Sequence, residues 1–529
     1  MIGLRRYISE KRRLDAELIP PSLILMFTTL FSRVLGTARE MIFATKFGAP
    51  PELDAYNAAF QLPDLLTKLF VLGAFSSAFI PVFARLREEG KKDTAWKLAD
   101  VVTTYLFLIL AGSSLVIFVL APLVVPLLAP GFDPARRDIT VQLLRIMLLS
   151  PILLGISNVL TGVLNSHHKF SASAWAPVMY NVGIIAGVLF FVPWFGMIWG
   201  LGMGVVCGAA LHAGIQVYPA LKLGFRWRMD TDLKTPGVRE IARMSGPRMV
   251  GMSVSQIDLI VDVILGSFLP VGSIALLNYA NRLQSMPVGI FGMAIATASF
   301  PMLVRKVAQK DMKGFGSEFL KQLRHILFFT VPLSIGLVVL RVEIIRLLFG
   351  HGTLGWFETR SVAFALALYS ISIFAQAAVY LLNRSFYAFQ DTRTPVIAGL
   401  ISTVLNTGLS LILVFTVHHF SMLALSYSIA SIVNMLLLLV LLSNRVKHID
   451  LNGFAGAAVK ILSASGIMGA AVWGLEIWFS SILDVSRVSM LLLETVICTL
   501  AGGAVFLLLT MWWGVCDLPW FGKLFLKGK

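Results

Sequence analysis

Apolar residues run through this chain in stretches of about twenty or more, separated by short polar breaks, and each stretch is long enough to cross a hydrocarbon core of roughly 30 Å. Read between the breaks, they predict about fourteen helical spans, at 17–47, 54–84, 98–128, 138–166, 172–194, 197–221, 238–268, 272–304, 317–349, 359–388, 394–416, 420–443, 454–480 and 487–513. The short alternating strands of a membrane barrel do not occur. The predicted class is an all-α polytopic membrane protein.

The pattern repeats at a separation of about 220 residues. AFIPVFAR, with Pro81 and Arg85, matches ASFPMLVR, with Pro301 and Arg305, and Ala74 and Ala78 match Ala294 and Ala298. At nearly the same offset, VLN at 163–165 followed by Pro177-Val178 is answered by LLN at 381–383 followed by Pro395-Val396. Six spans return a second copy in the same orientation. The expected architecture is two pseudo-symmetric six-helix lobes, 1–223 (spans 1–6) and 236–448 (spans 7–12). Two C-terminal helices (449–529, spans 13 and 14) follow, apolar, poor in the charges of the lobes and without a repeat partner.

Composition agrees with this picture. Of 529 residues, 57% are hydrophobic and only 14% charged, too few to surface a soluble domain of this size. The net charge of +16 matters through its placement. Lys and Arg crowd the N-terminus (Arg5, Arg6, Lys11, Arg12, Arg13) and the segments 85–97, 222–239, 305–321, 384–393 and 445–447, while the intervening loops GAPPE, PWFG, LPVG and VHHF are nearly free of them. The positive-inside rule then places both termini in the cytoplasm, which requires an even number of spans. Lipid head groups, not nucleic acid, are the anionic neighbours this distribution implies. The first apolar run is too long for a signal peptide and lacks a small-residue cleavage site, so it is expected to be a retained span. Cys207, Cys498 and Cys516 are too scattered for a disulfide framework or a metal site, and redox chemistry is not expected.

Charges inside the spans are the candidate chemistry, because a charge at mid-membrane costs a few kcal/mol and must face protein or water. In FSRVLGTARE, Arg33, Gly36 and Glu40 share one helical face and Arg39 points roughly 120° away. Span 2 carries Asp54 at its outer end, then Asp64 and Lys68 at i, i+4, preceded by Pro63. Span 7 holds two carboxylates at the same spacing, Asp258 and Asp262, and span 8 carries Asn281-Arg282 with Gln284 and Pro287. Inward arginines suit a polyanion such as phosphate or pyrophosphate, held by bidentate charge-assisted hydrogen bonds. Asp258 and Asp262, with Asn406 of span 11, form a candidate coupling-ion or proton site. The structural alternatives are snorkelling of Arg39 and Glu40 toward the outer surface, pairing of Arg33 with a neighbour, mutual neutralisation of Asp64 and Lys68, and a counterion role for the aspartates toward Arg243, Arg248 or Arg282.

Other signals carry less. His167-His168 and His418-His419 lie at loop edges, adjacent and unable to face one metal from a helix, and are expected to be solvated. The run GLGMGVVCG at 200–208 lacks the strand and lysine of a phosphate loop and reads as small-residue helix packing. Trp194, Trp199, Trp512 and Trp513 fit an interfacial belt. No HExxH, GxSxG or acid-rich magnesium motif suggests an enzyme.

FSRVLGTAREMIFATKFG, then ELDAYNAAFQLPDLL and GAFSSAFIPVFARL, resembles the opening of the MurJ/MviN lipid II flippases of the multidrug/oligosaccharidyl-lipid/polysaccharide exporter superfamily. The likeness continues through LNSHHKFSASAWAPVMYN, GPRMVGMSVSQIDLIVD, NYANRLQSMPVGIFGMAIATASFPML, FGHGTLGWFETR and YAFQDTRTPV, covering spans 1 to 12 in order. The resemblance implies a fourteen-helix, multi-pass transporter of the bacterial inner membrane, with no enzymatic activity, that moves undecaprenyl-pyrophosphate-linked peptidoglycan precursor from the cytoplasmic to the periplasmic leaflet. The family's functional arginines fall on Arg33, Arg39 and Arg282, and its acidic residue on Asp54. Three positions depart from the family pattern: Glu40 stands for Asp, Thr67 for an arginine beside Lys68, and Leu72 for a glutamate. Lys68 is then the remaining cation of span 2, and loss of a cation and an anion together suggests a pair removed as a unit.

The expected mechanism is alternating access by rocking lobes, with an Arg-lined central cavity for the pyrophosphate and sugar head group; the resemblance implies a groove formed with spans 13 and 14 for the polyprenyl tail. No cofactor is expected; the membrane potential and a coupling cation, Na+ or H+, are the candidate driving forces, and cell-wall synthesis proteins are candidate partners. The competing readings are an exporter of another lipid-linked oligosaccharide or of drugs within the same superfamily, a membrane-embedded transferase, and a scaffold. A drug exporter needs an excess of inward carboxylates, and a transferase needs an acidic constellation.

Overall fold

A backbone in hydrocarbon has no water to bond, so each apolar run must satisfy its own donors and acceptors, and a single segment does this as a helix. The computed structural model describes residues 21–482 and 487–515, and every regular element among them is helical. Arg5, Arg6, Lys11, Arg12, Arg13 and Cys516 lie outside the described residues, as do the side chains of Leu72, Ala74 and Arg248. Among the described residues, ten helices are long and apolar enough to cross a membrane, or eleven if the pair Trp356–Ser370 and Ile373–Ala388, bent by 41°, is one span. The predicted first, second and seventh spans are helical too but stand outside that count. They are the spans that carry Arg33, Arg39, Asp64, Lys68, Asp258 and Asp262.

The chain divides into two compact units, Met1–Phe43 with Pro51–Ile260, and Ala44–Pro50 with Val261–Lys529. The first contains most of α1 (Pro21–Phe47), then α2 (Pro51–Leu66), α3 (Ser76–Glu88), α4 (Lys92–Leu128), α5 (Pro134–Met147), α6 (Leu149–Ser166), α7 (Phe170–Ala186), α8 (Val192–Phe195), α9 (Met197–Lys222) and most of α10 (Val238–Gly266). Asp133 starts α5 by accepting the Arg136 backbone N–H at 3.0 Å, with Pro134 in the first turn. Helices α7 and α9 approach backbone to backbone: a Cβ on Gly208 would stand 2.5 Å from the Tyr180 carbonyl oxygen. The glycine-rich run at 200–208 therefore serves helix contact, as its small residues predict. A polar ladder also crosses from α6 to α9, with Gln216 donating to Ser157 and accepting from Thr161, each at 2.7 Å.

The loop after α9 is tied to α4: the Trp227 indole donates to Thr104 (3.2 Å), the Arg228 backbone N–H to Asp100 (3.1 Å), and Lys97 pairs with Asp232 (2.7 Å). Beside it, His167 stacks on Trp96 at 5.6 Å and shares a 2.8 Å hydrogen bond with the Val163 carbonyl. His167 is thus packed, not solvated as its loop-edge position suggested, whereas His168 is exposed. His419 departs in the same way, stacked on Phe420 and bonded to Ser421.

The second unit contains α11 (Ser273–Pro287), α12 (Ala294–Ala308), α13 (Met312–Val339), α14 (Arg341–Phe349), α15 (Trp356–Ser370), α16 (Ile373–Ala388), α17 (Arg393–Val417), α18 (Ser421–Arg445), α19 (Leu451–Ile482) and α20 (Val488–Trp512). The last turn of α1 and the following residues join it: the Tyr279 hydroxyl donates to the Gly48 carbonyl (2.8 Å) and the Thr353 N–H to the Thr45 carbonyl (3.2 Å). Its main core gathers Phe315, Phe319, Leu323, Leu381, Phe386 and Leu438 from α13, α16 and α18. A second cluster, with Phe328, Ile461, Met468, Cys498 and Phe506, seals α19 and α20 onto α13.

Two long helices switch to π geometry, at Thr67–Phe75 and at Val288–Met293. Pro63 precedes the first by four residues and Pro287 adjoins the second, each removing a backbone donor from its helix. The two segments stand at the roughly 220-residue separation of the sequence repeat, so the repeat extends to an irregularity of the backbone. A third π segment, Gly187–Phe191, links α7 to α8.

Candidate functional site

Helix α1 carries two arginines in different circumstances. Arg39 is 8% exposed and Glu40 7%, and their side chains pair at 2.5 Å although the residues are adjacent in sequence. Arg39 also donates to Asn181 Oδ1 on α7 at 3.3 Å, and Asn181 Nδ2 bonds back to Ser32 and to the Pro177 carbonyl. The face assignment from helical spacing separated Arg39 from Glu40, and the flexible side chains close that gap. Arg33, six residues and nearly two turns earlier, is half-buried and has no ion pair among the described residues. The two arginines thus divide into one neutralised within the helix pair and one whose charge is available.

In span 2, Asp54 is 1% exposed in the first turn of α2, where the helix N-terminus favours a carboxylate. Lys68 opens the next irregularity. It sits in the π segment, pairs with Asp64 at 2.6 Å and donates to Gln256 Oε1 of α10 at 3.1 Å. The spacing-based alternative, mutual neutralisation of Asp64 and Lys68, is what the geometry contains. Thr67, standing for the family's arginine, turns its hydroxyl onto the Pro63 carbonyl at 2.9 Å, at the α-to-π transition.

Arg282 lies on the exposed side of α11, six residues before the second π segment. Around it runs a polar chain that sequence spacing did not reveal. Gln284 donates to Asn281 (2.9 Å), Gln376 to Gln284 (3.1 Å) and to Ser372 (2.9 Å), Ser372 meets Ser428 (2.9 Å), and Ser428 donates to the Leu368 carbonyl (2.7 Å). This chain serves the bend between α15 and α16, where helical hydrogen bonds are interrupted. Beyond Asn281 and Gln284, its signal in the sequence is the run YSISIF at 369–374, small polar residues within an apolar stretch.

Asp258 and Asp262 are half-buried on α10, and Asp262 lies within electrostatic range of the buried Tyr369. Asn406 is buried on α17, with Ser410 at 3.5 Å. No set of three His, Cys, Asp or Glu side chains among the described residues is arranged for a metal ion.

The C-terminal pair departs from its charge-poor expectation. Glu343 of α14, Glu476 of α19 and Glu494 of α20 lie within electrostatic range of one another. Glu494 is 2% exposed and Glu343 8%. These acids lie 133 residues and more apart in sequence or on separate helices, so no spacing rule joins them.

The second unit also has a wholly apolar cavity of about 200 Å³ between α13, α16, α18 and α19, lined by Leu323, Leu327, Phe374, Leu439, Phe454 and Ala458 among others.

The family model for lipid II flippase MurJ matches residues 43–494 of the chain. A probable lipid II flippase MurJ of Rhizobium tropici is 30% identical over 452 residues, covering 84% of each chain, and the lipid II flippase MurJ of Burkholderia cenocepacia is 30% identical over 447 residues, covering 83% of this chain and 86% of its own. A solved lipid II flippase MurJ in an inward closed conformation superimposes with a TM-score of 0.78 at 27% identity, covering 93% of this chain and 99% of that one. An inward-facing multidrug transporter of the MATE family and MOP superfamily has a TM-score of 0.66 at 14% identity, a likeness of fold.

Proposed function

The chain belongs to the lipid II flippase MurJ family, and on that premise we propose how its residues carry the substrate. It is a multi-pass inner-membrane transporter of lipid II, not an enzyme. Arg33 contacts the pyrophosphate as the precursor leaves the cytoplasmic leaflet. The observation that carries this reading is the contrast within the first unit: Arg39 is matched by Glu40 and Lys68 by Asp64, while Arg33 has no ion pair among the described residues. A charge held in a membrane helix without a partner is costly, and an anionic ligand offsets that cost. Lys68 contributes as a point charge on its π segment, Asp54 borders the head group, and Arg282 is the phosphate contact of the second unit. Arg39 acts by holding α1 against α7.

The apolar cavity at α13, α16, α18 and α19 supports a path for the polyprenyl tail beside the first helix of the C-terminal pair. Asp258, Asp262 and Asn406 are the candidate ligands for the coupling cation, Na+ or H+. A potential negative inside assists outward passage of the anionic head group, by about 2.3 kcal/mol per charge per 100 mV. Both termini are cytoplasmic, and the partners are the lipid-linked substrate, membrane lipids and the enzymes of cell-wall synthesis.

The test is rescue of bacterial cells depleted of their own lipid II flippase, scoring precursor exposed on the outer leaflet. Wild type is expected to rescue. Arg33→Ala, at equal abundance, is expected to reduce exposure roughly 10- to 100-fold, the worth of one or two charge-assisted hydrogen bonds. Full rescue by Arg33→Ala returns that arginine to a structural role.

A further inference from the structure

A second cationic site lies in the second unit, apart from every residue given a part in transport above. Arg341 and Val342 at the start of α14, Phe357, Arg360 and Phe364 of α15, and His419 before α18 line a cavity of about 340 Å³. Arg341, Phe357, Arg360 and His419 stand toward the helix ends that the positive-inside pattern leaves poor in cations, so two arginines converging there need a reason. A nearby basic side chain has one. On α14 itself, the Arg346 guanidinium sits over the Trp356 ring at 5.5 Å.

Arg360 has no ion pair among the described residues. Arg341 gives one N–H to the Val338 carbonyl at 2.6 Å, and its charge also reaches Glu476, which leaves the rest of its fork for the pocket. His419 Nδ1 accepts the Ser421 backbone N–H at 3.2 Å, so the neutral ring carries its proton on Nε2 and offers a further donor. Two planar guanidinium forks and an imidazole N–H suit the oxygens of a phosphate, and Phe357 and Phe364 suit the carbons attached to it. The volume admits a phosphate with its first few carbons.

We propose that this pocket binds the phosphate of a membrane amphiphile. The same chemistry has two sources, a bilayer phospholipid or a polyprenyl pyrophosphate of the transported class. The proposal relies on the function above only for the side of the membrane the pocket faces. Because the assay measures binding without transport, failure of either one leaves the other standing.

The test is calorimetric titration of the purified full chain in neutral detergent with dioctanoyl phosphatidylglycerol, farnesyl pyrophosphate, dioctanoyl phosphatidylcholine and inorganic phosphate. Saturable binding of phosphatidylglycerol or farnesyl pyrophosphate is expected, at least tenfold tighter than that of phosphatidylcholine. Arg360→Gln and Arg341→Gln are each expected to weaken it about tenfold or more, with Arg360→Lys retaining part of the affinity and all variants melting as wild type. Binding of phosphatidylglycerol assigns the site to bilayer lipid; binding of farnesyl pyrophosphate alone assigns it to the transported class. Unchanged affinity in both Gln variants, no saturable binding, or inorganic phosphate binding as tightly as the amphiphiles would overturn the proposal.

Discussion

At the scale of single residues, what spacing could reveal was local. Asp64 and Lys68 stand at i, i+4, and their pairing follows from helical geometry alone. Arg39 and Glu40 escaped the same reasoning, because adjacent residues point apart on a helix and their second partner, Asn181, lies 142 positions away. Their burial yields a direct prediction. Arg39→Ala strands the Glu40 carboxylate without its cation in a dry site and is expected to cost roughly 3–5 kcal/mol. Arg39→Met with Glu40→Leu removes both charges at similar volume and is expected to recover most of that loss. Thermal unfolding of the purified proteins checks it: a double variant no more stable than Arg39→Ala would mean that the pair does not behave as a unit. Arg33→Ala, by contrast, is expected to leave the melting temperature nearly unchanged, since no partner among the described residues loses a bond.

At the scale of elements, apolar runs gave the helices, and Pro63 and Pro287 marked where two of them would deform. The sequence did not show that the deformation would be a π segment, nor that small polar residues would knit the bend between α15 and α16, because both depend on neighbouring helices. Loop edges were misjudged for a similar reason. The end of α6 gains its order from Trp96 on α4 and Phe83 on α3, which stack around His167. Burial holds the His167 imidazole below its ordinary pKa, and the charges of Arg87 and His168 push it the same way. A histidine kept neutral in the fold stabilises it above the unfolded pKa, and that stability is lost as pH falls below about 6.5. Hydrogen exchange at residues 164–169, corrected for intrinsic rates, is therefore expected to quicken between pH 7.5 and pH 5.5. His167→Phe keeps the stack and is expected to abolish the dependence. Equal pH dependence in the variant would assign the effect to another group.

At the scale of the whole molecule, the repeat and the loop charges are the features that local packing does not explain. The connections at 89–91, 167–169, 223–237, 309–311 and 446–450 each contain a Lys or Arg, whereas those at 48–50, 129–133, 196, 267–272, 350–355 and 418–420 contain none; the connection at 389–392 contains none itself but is flanked by Arg384 and Arg393 and counts with the first set. Counted in this way the two sets alternate along the helices, and the positive-inside rule predicts the first for the cytoplasm and the second for the periplasm. The cationic pocket at Arg341 and Arg360 then lies on the periplasmic side. Single cysteines in a background without Cys207, Cys498 and Cys516 test this arrangement. His418→Cys is expected to react with a membrane-impermeant maleimide in cells whose outer membrane alone is opened, and Lys310→Cys only after the inner membrane is lysed. The reverse pattern would invert the chain, placing the pocket where cytoplasmic phosphates reach it and turning the loading face for the precursor away from its supply. Labelling of both sites in unlysed cells would instead break the alternation itself, and with it the six-span logic that lets the second lobe repeat the first in the same orientation.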